Sequence, residues 1–396
     1  MIHENSARIR ELDGIRGIAI LLVIIWHYYI AIAGEPISLV TKVLRFPFYL
    51  AWSGVDLFFV LSGFLIGGIL LDHASAPNYF KVFYIRRFCR IVPIYFIWLI
   101  LFILFTSVAK LPLPSETSAF LFNDSMPIFS YFSFTQNFAM VARLSTGARW
   151  LGITWSLAVE EQFYLTLPML IRFVPRRRLP GLLMVLILLV PVVRVLSIPL
   201  FPSYIPQYLL LPYRADSLLL GVFCAIIVRN ETALQWMTAH IAVLRGMLVV
   251  LAVGAGWLIL LGSIHTFAAI SFGYTWLALL YATVLMLAIV PKRGLVKSIT
   301  ALYPLRVLGM LAYGLYLFHQ SVNGIVHGIF LNQVPAFRRP VDAVAAVIAF
   351  VLTFLLAYLS WTYFEKPLVG LGHRFAKYEM PQTATLTSEL GIDPAA

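Results

Sequence analysis

Six residues in this sequence have types and spacings that could do chemistry together: Arg16, His27, Asp56, Arg87, Arg90 and Glu160. Arg16 and His27 lie eleven residues apart in the run Asp13-Gly-Ile-Arg16-Gly-Ile-Ala-Ile-Leu-Leu-Val-Ile-Ile-Trp-His27. On an α-helix that offset leaves roughly 20° of rotation and a climb of about 16 Å, so the two side chains share a face at different depths. An imidazole can take a proton from a hydroxyl or accept a transferred group itself. The plainer alternative is a histidine hydrogen-bonded between helices as glue. Asp56, in Trp52-Ser-Gly-Val-Asp56-Leu-Phe-Phe, could orient that ring or balance its cation; it could equally pair with a structural arginine such as Arg214. Arg87 and Arg90 are three apart and so neighbours on a helix surface. Forked guanidinium groups suit phosphates, although a basic loop beside a membrane needs no ligand to explain it. Glu160 and Glu161 follow one another in Thr154-Trp-Ser-Leu-Ala-Val-Glu160-Glu161-Gln162-Phe-Tyr164. At about 100° per residue they cannot share one face, so one of the two meets any common cavity, with Glu160 at a depth similar to His27.

These groups need unusual surroundings. Of 396 residues 61% are hydrophobic and only 12% charged, about half the charged fraction of a soluble domain. The fold class expected is an all-α polytopic integral membrane protein of about ten transmembrane helices. Apolar windows of spanning length fall at 15–33, 49–71, 91–109, 153–174, 180–198, 213–228, 246–262, 268–290, 308–330 and 341–362. A titratable side chain inside such a window is costly and therefore a functional candidate. The net charge of +12 is a topology signal in a membrane protein and calls for no nucleic acid. Basic residues crowd alternate loops (Arg8 and Arg10; Lys81, Arg86 and Arg87; Arg176, Arg177 and Arg178; Lys292, Arg293 and Lys297), which sets both termini in the cytoplasm.

Two loops on the other side are long. Residues 110–152, with the cluster Tyr131-Phe-Ser-Phe-Thr-Gln-Asn-Phe138, read as a re-entrant or interfacial piece over a cavity, because irregular backbone survives at depth only beside protein or water. Residues 199–212, with four prolines, read as a smaller cover. Arg8 and Arg10 before an apolar run ending Ala31-Ile-Ala33-Gly34 imitate a secretory signal; the run's length and His27 favour a retained first span. The transmembrane domain is drawn at 1–372, and 373–396 as a polar tail, disordered from about 378. Cys89 and Cys224 lack metal-ligand spacing, so no metal site is expected. Arg214 with Asp216, and His319 in Tyr313-Gly-Leu-Tyr316-Leu-Phe-His319, read first as structural pairings, His319 also as a second ligand contact. Glu365-Lys366-Pro367 reads as a local ion pair and helix stop.

From about residue 11 to 368 the chain resembles the acyltransferase-3 family of integral membrane acyltransferases. The resemblance rests on Arg16 and His27, on Gly54-Val-Asp56-Leu-Phe-Phe-Val-Leu-Ser-Gly-Phe64, on Arg87 and Arg90, on Trp155-Ser-Leu with Glu160 and Phe163-Tyr164, and on Glu365-Lys-Pro367. Arginines at that spacing alone say almost nothing; the ordered set within spans is specific. It implies transfer of an acyl group, commonly acetyl from cytoplasmic acetyl-CoA, to an extracytoplasmic hydroxyl such as that of a cell-envelope or exported glycan, in a bacterial plasma membrane. It also implies a form without the fused extracytoplasmic hydrolase-like domain of some members, so either the membrane domain finishes the reaction or a separate extracytoplasmic transferase does. On that reading Arg16, Arg87 and Arg90 hold the donor's phosphates. The arm runs along the Arg16–His27 face, His27 is the base or acyl carrier, and Glu160 or Asp56 orients its ring. A proton-coupled secondary transporter is the rival from another class, since buried His, Asp and Glu also relay protons.

Overall fold

The computed structural model describes residues 9–34, 38–260 and 266–379. Ten helices of 16 residues or more run through them: α1 Arg10–Ile25, α2 Gly54–Asp72, α3 Tyr79–Ser107, α4 Trp155–Phe173, α5 Leu179–Ser197, α6 Leu211–Ile227, α7 Ile241–Leu260, α8 Tyr274–Ile289, α9 Ala312–Leu331 and α10 Pro340–Ser360. Eight stretches are long and apolar enough to cross a bilayer. The two long helices outside that set are α4 and α9, of 19 and 20 residues. These carry Glu160, Glu161, His319 and Gln320, and a helix that brings such groups into apolar surroundings loses apolarity by doing so. The chain is an all-α polytopic membrane protein.

Close helix contacts centre on α2 and α6. A methyl group added at Gly63 would lie 1.9 Å from the Leu218 carbonyl oxygen, and one at Gly221 2.0 Å from that of Val60. Backbones can approach this far only where both helices present small residues. That approach brings Arg214 Nη2 to 2.6 Å from Asp56 Oδ1, while Arg194 Nη2 on α5 meets Asp216 Oδ2 at 2.5 Å; all four side chains are fully buried. The Arg214 guanidinium also lies 4.3 Å from the Tyr274 ring centroid. The sixth helix is thus held by two ion pairs that cancel its charge where water cannot.

The loop 110–152 folds into short helices, Ser115–Phe122, Ile128–Phe132, Gln136–Arg143 and Arg149–Gly152. Trp150 stacks on Trp98 of α3 at 4.6 Å, and Gln136 Nε2 donates to the Thr154 carbonyl at 2.8 Å, which fixes the entry of α4. In the second loop Ile205–Leu209 presents Tyr208 to Trp155 at 4.7 Å. Beyond α10 the chain does not stop at Pro367. It passes through the π-helical turn Trp361–Glu365 into the helix Lys366–Phe375, because a proline in the first turn has no hydrogen bond to lose. The boundary drawn after Gly372 falls within that helix. Residues up to Glu379 return to the α2–α3 loop and the start of α3: Arg86 Nε of α3 donates to the Ala376 carbonyl at 2.8 Å, and Tyr378 stacks on His73 of the loop at 3.8 Å. The tail expected beyond 379 lies outside the described residues.

Breaking one buried pair leaves a bare charge, which costs about 3–5 kcal/mol, whereas replacing both partners by apolar groups costs far less. Asp56→Leu alone should therefore lower the thermal unfolding midpoint of the detergent-solubilised protein sharply. Asp56→Leu with Arg214→Leu should recover most of the loss, and equal midpoints for single and double variants would count against the pairing.

Candidate functional site

A cavity with about 1030 Å³ of open space, its mouth included, lies among α1, α2, α3, α4, α9 and the Trp361–Glu365 turn. Arg16, Arg87 and Arg90 all line it, together with Glu160 and Glu365. Arg16 is partly balanced by Asp13, whose Oδ1 lies 3.2 Å from its Nη1. Among the described residues neither Arg87 nor Arg90 has a carboxylate at ion-pair distance. Three guanidinium groups line the cavity with two carboxylates, and charge-assisted bonds from such forks suit a phosphate or pyrophosphate.

Glu160 accepts a hydrogen bond from the Tyr164 hydroxyl at 3.2 Å, and Ser62 Oγ lies 2.6 Å from the same tyrosine oxygen. Its neighbour Glu161 faces a separate cleft with Arg87, Phe88 and Leu165. One helix position, about 100° of rotation, decides which carboxylate enters the cavity. Glu365 accepts from Ser360 Oγ at 2.7 Å and is turned inward by the π turn that contains it. No ion pair forms between Glu365 and Lys366 among the described residues, so the expected local pairing gives way to a cavity wall.

His27 sits in a second π turn, Trp26–Ile30, which continues α1. Its Nδ1 lies 2.9 Å from the Val23 carbonyl oxygen and 3.1 Å from Nε2 of His319, with the two ring centroids 4.9 Å apart. The widened turn also lets the next residue point the same way. Tyr28 donates its hydroxyl to the His319 carbonyl at 2.8 Å and lies 3.0 Å from Thr353 Oγ1 of α10. His27 is partly buried and His319 fully buried. The described lining of the cavity stops short of this pair, at Ser156 and Tyr316. Tyr316 Oη lies 2.6 Å from Ser156 Oγ and 2.9 Å from the Ile153 carbonyl, and its ring centroid is 5.9 Å from that of His319. The Tyr316 ring is thus a partition between the arginine cavity and the histidine pair.

Three expectations change here. The ring partner of His27 is His319, not Glu160 or Asp56: depth along a helix is legible in a sequence, but rotation between helices is not. Asp56 is held by Arg214 Nη2 and by Ser217 Oγ at 3.3 Å. The Arg16–His27 face is not one continuous wall, because the cavity that Arg16 lines ends at Ser156 and Tyr316. Sequence reading missed Tyr164 and Tyr316. The spacing Tyr316-x-x-His319, one turn of one helix face, was the signal available for the second.

Fold and site together define a polytopic membrane protein whose interior holds an arginine-lined cavity and, one ring away, an imidazole pair. Residues 9–362 match the family model described as Acyltransferase domain, and the chain belongs to that family, acyltransferase-3. It is similar to the peptidoglycan O-acetyltransferase OatA of Listeria monocytogenes, 28% identical over 90% of this chain and 55% of that protein. The O-acetyltransferase OatA of Staphylococcus aureus is 24% identical over 92% and 57%. The putative peptidoglycan O-acetyltransferase YrhL of Bacillus subtilis is 28% identical over 94% and 56%. The chain thus spans about half the length of the curated relatives it matches. No solved structure matches it.

A hydrogen bond to a charged group is worth about 1.5–3 kcal/mol. Arg87→Ala should therefore weaken binding of inorganic pyrophosphate, measured by titration calorimetry in detergent, by roughly ten- to hundredfold. Equal affinity in the two proteins would remove Arg87 from the anion site.

Proposed function

We propose that this chain is a membrane O-acyltransferase that carries an acyl group, in the simplest case acetyl, from a cytoplasmic acyl-CoA to a hydroxyl of an extracytoplasmic cell-envelope glycan. The observation that carries the reading is the arginine-lined cavity ending one side chain from His27. The inside bias of Lys and Arg sets both termini in the cytoplasm of a bacterium and the arginine mouth on that side. The names of the three relatives support O-acetylation and peptidoglycan as the kind of acceptor. A separate extracytoplasmic transferase, expected from the family resemblance, remains part of the proposal.

In this mechanism Arg16, Arg87 and Arg90 bind the phosphates of the nucleotide head, and the thioester arm extends inward past Glu160 and Tyr164. To reach His27 the thioester must displace the Tyr316 ring from Ser156 and the Ile153 carbonyl. Tyr316 therefore also keeps water off the thioester until an arm is in place. His27 Nε2 takes the proton of the acceptor hydroxyl as its oxygen attacks the thioester carbonyl. The C–S bond then breaks, and the imidazolium returns the proton to the departing sulfur. Nothing is oxidised or reduced, and ester and thiol are the products. If His27 is first acylated, the same proton balance holds over two steps.

Purified protein given radiolabelled acetyl-CoA tests this. His27→Ala should lower transfer or hydrolysis by about 10²–10⁴-fold, the range for general-base catalysis, with donor affinity unchanged. A His27→Ala protein that still turns over acetyl-CoA would refute the role of this ring. Proton-coupled uptake into proteoliposomes without turnover would favour the transporter.

A further inference from the structure

The two histidines are close enough to fix one another's protons. A carbonyl oxygen can only accept. Val23 O lies 2.9 Å from His27 Nδ1, so that nitrogen carries the hydrogen. Tyr316 O and Leu315 O lie 2.7 Å and 3.2 Å from His319 Nδ1, so that nitrogen carries a hydrogen too. His319 Nε2 is then a bare lone pair, and it points at His27 Nδ1 from 3.1 Å. The hydrogen on His27 Nδ1 is shared between two acceptors, and His27 Nε2 is left with its lone pair. From these contacts we infer that His319 is a positioning residue which holds the His27 ring in the Nδ1–H tautomer, with Nε2 free to take a proton.

The two acceptors are not equivalent. Val23 O already accepts the Trp26 backbone N–H, so its bond to the ring is the weaker of the two; it also moves with His27's own helix, and without His319 the ring can turn away from it. His319 belongs to α9, and three contacts hold it: its own Nδ1 bonds, the Tyr28 hydroxyl on its carbonyl at 2.8 Å, and burial at 0% exposure. Tyr28 in turn reaches Thr353 of α10, so α1, α9 and α10 meet at this ring. A neutral imidazole does for His27 what a carboxylate does in a serine-protease triad. It selects the tautomer through a hydrogen bond at the far nitrogen, without bringing a charge into the apolar interior. When Nε2 gains a proton, the Nδ1–H bond to His319 becomes charge-assisted and strengthens.

The inference rests on the proposed role of His27 for its kinetic consequence, but not for its spectroscopic one. Nitrogen-15 NMR of histidine-labelled protein in detergent, with the His27 signals assigned by their loss in His27→Ala, reads the tautomer directly. Wild type should show Nδ1–H with a bare Nε2. His319→Leu should show a mixture of both tautomers, and His319→Gln, whose amide oxygen can accept in the same place, should restore the wild-type pattern. In turnover of acetyl-CoA, His319→Leu should lower kcat by about 10–100-fold, the usual cost of losing the partner that orients a working histidine, at unchanged KM, with partial recovery in His319→Gln. A His27 spectrum unaltered in His319→Leu overturns the inference. So does recovery by a second apolar variant, His319→Met, to the level of His319→Gln. Should the tautomer shift as expected while His27→Ala keeps full turnover, the positioning stands and the proposed function falls.

Discussion

Every polar group that enters the apolar interior of this protein has to find its partner in the protein, because lipid offers none. That constraint explains the arrangement of α6, a span that carries both an arginine and an aspartate. Arg214 and Asp216 lie two positions apart and leave the helix in different directions, one to Asp56 on α2 and the other to Arg194 on α5. The result ties three helices together at one level without net charge. The glycine contacts between α2 and α6 are the steric counterpart, since a 2.6 Å ion pair between buried short and long side chains needs backbones that can come together.

The same constraint divides the polar residues into those spent on structure and those left for ligand. Asp56, Arg194, Arg214 and Asp216 pair with one another. Glu160, by contrast, is bonded through hydroxyl groups, and among the described residues Arg87 and Arg90 form no ion pair. His27 belongs to neither group: its Nδ1 side is engaged by Val23 and His319.

Two of the three π turns among the described residues sit at this site. Each inserts a residue into the helical period and so turns side chains that an ideal helix would send elsewhere. In Trp26–Ile30 it aims His27 and Tyr28 together at α9; in Trp361–Glu365 it aims Trp361 and Glu365 into the cavity. Helices with such widened turns lose regular hydrogen bonding and are found where function requires the displaced side chain.

The amino-acid sequence by itself determined that this is a membrane bundle, roughly where its helices run, and which residues are too polar to be there by chance. Each of those follows from local composition and from the length of an apolar run. It also placed Arg16, Arg87, Arg90 and Glu160 at compatible depths, because rise along a helix is constant. Only the tertiary structure decided which groups touch. Rotation of one helix against another depends on packing at distant glycines, and a π turn shifts the face without any mark in the hydropathy. Hence the choice of Glu160 over Glu161 and the meeting of His27 with His319 across 292 positions of chain were settled by packing, to which residue spacing is blind, whereas the pairing of Asp56 with Arg214 was already one of the two readings its sequence offered.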